Sequence, residues 1–68
     1  MEPLIYYKPP GTEYERVSWY GGESTMLHYE TLQYGSWKDK DVRTLMLGIP
    51  SDIKELQQEM VDFYNYCQ

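Results

Sequence analysis

Proline and glycine cut this chain into short pieces and spare only its C-terminal stretch. Pro9-Pro10-Gly11, Gly21-Gly22, Gly35 and Gly48-Ile49-Pro50 punctuate the first fifty positions, whereas Ser51 to Gln68 contains neither residue. Proline lacks an N–H and restrains the residue before it, so each break ends whatever precedes it. The upstream pieces have room for strands or very short helices, and one longer helix fits only after Pro50.

The upstream pieces are rich in Tyr, Thr, Val, Ile and Trp, which favour strands. Strands are expected at about 4–8, 12–20, 25–33 and 42–47. In the second, Val17 and Trp19 share one face, while Tyr14, Arg16, Ser18 and Tyr20 share the other. Gly21-Gly22 reads as the turn of a hairpin returning through residues 25–33. A short helix from Ser24 to Gly35 is the competing reading there. Gly35-Ser36-Trp37-Lys38-Asp39-Lys40-Asp41 reads as a charged loop. In the strand after it, Val42, Thr44 and Met46 lie opposite Arg43, Leu45 and Leu47; a helix over 38–47 is the competitor.

The helix, at about 52–66, has the clearest signals. Asp52 is an N-cap residue, and Asp52 with Glu55 matches a capping box. At helical spacing Ile53, Leu56, Met60, Phe63, Tyr64 and Cys67 fall within an arc of roughly 100°, with Val61 at its edge. The expected architecture is α+β: a small three- or four-stranded, mostly antiparallel sheet with one C-terminal helix packed on one face, in a single domain spanning residues 1–68.

With 68 residues and one cysteine, Cys67, the chain can form no internal disulfide. Small secreted domains usually carry several, so a reducing, cytoplasmic setting is expected, the host cytoplasm if the protein is viral. A core of this size supplies only roughly 3–5 kcal/mol of net stability. No segment has the ~20 apolar residues that cross a membrane, and Met1-Glu2-Pro3 lacks the basic start of a signal peptide.

Charge and aromatic content bear on function. The net charge is −5, which opposes binding to nucleic acid or anionic membranes and favours a basic protein or protein complex. Eight Tyr, two Trp and one Phe exceed what so small an interior can hide, so several rings should lie at the surface. Tyr and Trp are enriched at protein interfaces.

Two arrangements are candidates for partner binding. Asp52, Glu55, Glu59 and Asp62 fall within roughly 80° of one another on an ideal helix, with Tyr66 on the same stripe and only Lys54 as a nearby opposite charge. Such a stripe can imitate a phosphate backbone or mate with a basic groove, or simply be a solvated face. The second arrangement is the sheet face away from the helix, expected to carry some of Tyr14, Tyr20, Tyr29, Tyr34 and Trp37 among Glu13, Glu15, Glu23 and Glu30. Carboxylates beside rings suit a partner's arginine, joining an ion pair to a cation–π contact. A second copy of the chain, giving a homodimer or an accessory subunit, is the alternative occupant of that face.

Other chemistry-bearing residues lack the company their chemistry needs. His28 stands without a Cys/His cluster and reads as a strand histidine. Cys67 has acidic and phenolic neighbours, the opposite of an activating setting. Asp39 and Asp41 alternate with Lys38 and Lys40, which opposes a metal pair, and Pro9-Pro10-Gly11 is a turn. No phosphate loop, nucleophile elbow, zinc spacing or dinucleotide fingerprint occurs. The reading is therefore a binding protein without catalytic residues, cofactor or metal.

In general character — very short, acidic, aromatic and cysteine-poor — the chain is similar to small proteins by which phages block host or defence enzymes, and to antitoxin or immunity-type inhibitors. That resemblance, of composition alone, implies an inhibitor or modulator acting by steric and electrostatic occlusion of a nucleic-acid-binding enzyme or defence complex.

Overall fold

The computed structural model describes residues 2–46 and 48–68. Four strands, β1 (Ile5–Tyr7), β2 (Glu15–Trp19), β3 (Met26–Gln33) and β4 (Ser36–Thr44), precede one helix, α1 (Ile53–Tyr66). Each strand pairs antiparallel with the next, so sheet order follows chain order, and the fold is α+β as expected.

Asp52 starts the helix. Its backbone is extended and its side chain accepts the Lys54 N–H at 2.9 Å, satisfying one of the donors left free at a helix start. The helix lies over β1, β2 and β3. Leu56, Met60 and Phe63 press onto Val17, Trp19, Leu27, Tyr29 and Leu45, with Ile5, Tyr7, Tyr64 and Cys67 around the margin. Truncating Met60 or Phe63 to alanine, both almost fully buried, would cost about 2–5 kcal/mol. Ile53, on the same arc, lies in the first turn and stays more than half exposed beside a small hollow.

The largest departure from expectation is β4. Residues 35–41 are not a loop: the strand begins at Ser36 and ends at Thr44, and Leu47 of the expected strand lies outside the described residues. Two residues, Tyr34 and Gly35, both with positive φ, join Gln33 to its cross-strand partner Ser36. That is the left-handed backbone a two-residue hairpin loop of type I′ demands. The strand was hard to read because it is an edge that reaches past the helix. Mostly exposed, with only Trp37 and Arg43 half-buried among its nine residues, it needs no apolar alternation, and its lysines and aspartates defend the edge against further pairing. An irregularity at Tyr29/Glu30 leaves Lys40 without a partner, a bulge that breaks the regular edge further. The Asp41 side chain accepts the Val42 N–H at 2.8 Å. The opposite edge, β1, is only three residues long and runs into Pro9 and Pro10.

Candidate functional site

The sheet face away from the helix has no second layer, yet it holds buried polar groups. Arg16 and Glu30 sit directly opposite each other on β2 and β3 and are 8% and 3% exposed. Arg16 Nε donates to Glu30 Oε1 at 2.7 Å, Ser18 Oγ donates to the same oxygen at 2.6 Å, and the Tyr20 hydroxyl donates to Glu30 Oε2. Aromatic side chains supply the cover: the Arg16 guanidinium lies over Trp37, 4.1 Å from its ring centroid, and 5.6 Å from that of Tyr6. His28 stands edge-on to Tyr20 at 5.0 Å, its Nδ1 3.4 Å from Asp39.

This arrangement sets the local acid–base behaviour. Burial alone would raise the Glu30 carboxyl, but the bonds from Ser18, Tyr20 and Arg16 outweigh it and hold the group below its ordinary value. Tyr20 is pushed up to about 12, first by burial and then by its bond to the Glu30 carboxylate. The helix-facing side repeats the motif. Glu15 accepts from the hydroxyls of Tyr29 and, at 3.1 Å, Tyr64, and Tyr64 packs edge-on against Tyr7 and Tyr29. Burial, followed by the Glu15 bond, pushes Tyr29 up to about 12.

The rings expected on one open face are therefore dispersed. Tyr20 and Trp37 lie there, half-buried over the Arg16–Glu30 pair. Tyr29 belongs to the core beneath the helix, because its register on β3 turns it to the other side. Tyr14 precedes β2 and is exposed, and Tyr34 is fully exposed at the β3–β4 turn. Of the interleaved acids, Glu15 and Glu30 turn inward as hubs for hydroxyls. The place expected to receive a partner's arginine is filled by the chain's own Arg16.

The helix stripe has a different setting. Because β4 extends past the helix, a groove opens between the flank of α1 and the helix-facing side of β4. One part, about 310 Å³, is lined by Arg43, Met46, Glu55, Gln58, Glu59 and Asp62. The adjoining part, about 440 Å³, is lined by Asp41, Val42, Arg43, Phe63 and Tyr66. Arg43 stands between them. Glu55, Glu59, Asp62 and Tyr66 thus come together along one wall, while Asp52 is engaged as the helix cap. Glu59 accepts the Met46 N–H at 2.7 Å, which ties the wall to the end of β4, and Asp62 accepts from Gln58 at 3.0 Å.

Sequence reasoning missed Asp41, Val42, Arg43, Met46 and Phe63 as members of this groove. The available signal was the alternation after Asp41, which puts Asp41 and Arg43 on the helix-facing side. Cys67 lies nearby, and burial, then the Asp41 carboxylate, pushes its thiol up, which keeps it protonated at neutral pH. Among the described residues no cluster of His, Cys, Asp or Glu is arranged to hold a metal, and no helix is long and apolar enough to cross a membrane.

The fold and site define a small α+β protein whose distinctive surface is an acid-rimmed groove with an apolar floor. No protein-family model matches the chain, and no match is found among curated proteins or solved structures.

Proposed function

We propose that this protein binds a basic segment of another protein in the groove between α1 and β4, and inhibits or modulates that partner by covering a surface otherwise used for nucleic acid or an anionic substrate. The observation that carries the reading is that Glu55, Glu59 and Asp62 are not spread over an isolated helix face. They line a groove with Asp41 opposite, Phe63 and Met46 within it, and a single basic residue, Arg43, among four carboxylates. A lysine or arginine laid in such a groove sets its aliphatic stem on apolar carbon and its charge among carboxylates. The net charge of −5 adds long-range attraction for a basic partner and speeds encounter.

An inhibitor or anti-defence protein encoded by a phage is the biological setting this reading fits, with the host cytoplasm as its compartment and the carboxylate row as a partial nucleic-acid mimic. Assembly with a second copy by strand addition has less support, because the bulge, the charges and the Asp41–Val42 contact guard β4 and prolines flank β1.

The test is titration calorimetry with oligo-lysine and oligo-arginine peptides of equal length. Wild-type protein should bind, with affinity falling as salt rises. The combined variant Glu55→Gln, Glu59→Gln, Asp62→Asn should lose roughly tenfold or more in affinity while remaining folded by circular dichroism. Unchanged affinity in that variant rejects the groove.

A further inference from the structure

Resting on that reading of the groove, we propose that Arg43 is an internal occupant of the binding site and that the partner feature which replaces it is an arginine, not simply any positive charge. The Arg43 guanidinium lies over the Phe63 ring, 5.8 Å from its centroid, with Nη2 2.9 Å from Met46 Sδ. Both parts of the groove are bounded by it. Carboxylates stand on either side, yet among the described residues Arg43 has no ion pair within 4.0 Å; the pairs found are Arg16–Glu30 and His28–Asp39. Its cation therefore lies within cation–π reach of a ring but is not neutralised by an ion pair.

Phe63 is 1% exposed because its ring packs into the core beneath the helix, and Arg43 lies over its groove side. The chain itself thus places a guanidinium within cation–π reach of the ring at this point of the groove. Arginine suits such a place better than lysine. Its planar, weakly hydrated cation stacks on rings and can present paired N–H groups to a carboxylate, whereas an ammonium is a strongly hydrated point charge. An incoming arginine that also reaches Asp62 or Glu59 gains a contact Arg43 does not make. Arg43 can then swing towards solvent, since it lies near the end of an exposed edge strand and, among the described residues, its side chain is held by the ring and the sulfur.

Apparent affinity is reduced by the fraction of time Arg43 holds the site, so removing it should tighten binding. Loss of its charge alone would favour oligo-arginine and oligo-lysine equally. The informative quantity is the ratio of their affinities, measured by calorimetry at one ionic strength. Wild type should prefer oligo-arginine by roughly fivefold. Arg43→Ala should tighten both peptides and widen that preference by a similar factor, and in the wild-type protein the Phe63 ring proton resonances should move on adding oligo-arginine but far less on adding oligo-lysine. Equal affinities for the two peptides in both proteins, with binding still lost in the triple carboxylate variant, would overturn the arginine assignment and leave the groove standing. Absence of binding by either peptide would remove both.

Discussion

Two arginines occupy opposite sides of the same sheet and have opposite surroundings. Arg16 is buried, bonded through Nε to Glu30, and lies over the rings of Trp37 and Tyr6. Arg43 rests on one ring and one sulfur, with carboxylates nearby that it does not pair with. Residue types alone do not separate the two places, since both combine arginine, aromatic rings and acids. What separates them is whether the contacts close on themselves. A closed set holds a fold together, and an open set is what a partner can complete.

The largest consequence is for stability. Arg16→Ala leaves the Glu30 carboxylate buried without its cation, and breaking a buried pair from one side costs about 3–5 kcal/mol. That is comparable with the whole net stability of so small a domain, so the variant should be largely unfolded in urea titrations followed by circular dichroism. Arg43→Ala, partly exposed and unpaired, should stay within about 1 kcal/mol of wild type. Similar losses in the two variants would erase the distinction.

A smaller effect appears on titration, and it sharpens the closed side of the comparison. Tyr20 and Tyr29, one on each sheet face, are pushed up to about 12, first by burial and then by their bonds to Glu30 and Glu15. Their folded values lie above the unfolded value near 10, so their contribution is fully present below pH ~10 and is lost as pH rises towards about 12. Each is worth on the order of 1–2 kcal/mol once screening by solvent is allowed for. The phenolate absorbance of the folded protein should therefore show Tyr20 and Tyr29 titrating late, with Tyr64, also raised by burial and its bond to Glu15, above the ordinary value as well, and alkaline unfolding should begin above pH ~10. Glu30 acts in the opposite direction. Its folded value is lowered, so its contribution is present above the ordinary carboxylate range and disappears as pH falls through the folded value. Glu30→Gln should flatten the acid limb of stability measured against pH. A folded protein with all tyrosines titrating together near the ordinary value would show that the hydroxyl hubs do not exist in solution.

The closed cluster was nearly invisible in the sequence, and register is the reason. A two-residue turn at Gly21-Gly22 would have set Arg16 opposite Leu27. The chain instead takes a longer connection from β2 to β3, and Arg16 meets Glu30. Nothing local to Glu30 distinguishes it from Glu23, which stays exposed. The helix, by contrast, was legible because its signals are local: a break at Pro50, a cap at Asp52, and Leu56, Met60 and Phe63 at helical spacing. The acidic stripe was legible for the same reason. Its neighbour was not, because β4 carries charges on both sides and follows a turn with Tyr34, an unusual residue for a left-handed position. A reader of the sequence could place Glu55, Glu59 and Asp62 on one face, but could not see that a strand edge would stand opposite them.

The smallest effect concerns the open side, where its sign matters more than its size. Glu55, Glu59 and Asp62 are like charges at helical neighbour spacings, and such pairs repel by a few tenths of a kcal/mol each. Asp62 also lies towards the negative end of the helix dipole, while Glu55 gains a little from the positive end. In the variant Glu55→Gln, Glu59→Gln, Asp62→Asn, the side-chain amide oxygen introduced in place of the Glu59 carboxylate can still accept the Met46 N–H, so the bond tying the helix to the end of β4 survives. Thermal and urea unfolding should find this variant as stable as wild type or up to ~1 kcal/mol more so, even as it loses its hold on basic peptides. Residues that weaken a fold and serve a partner are expected where function has been set against stability. A loss of more than ~1 kcal/mol would instead make these carboxylates part of the closed architecture, like Glu30, and the groove would be one more piece of scaffold.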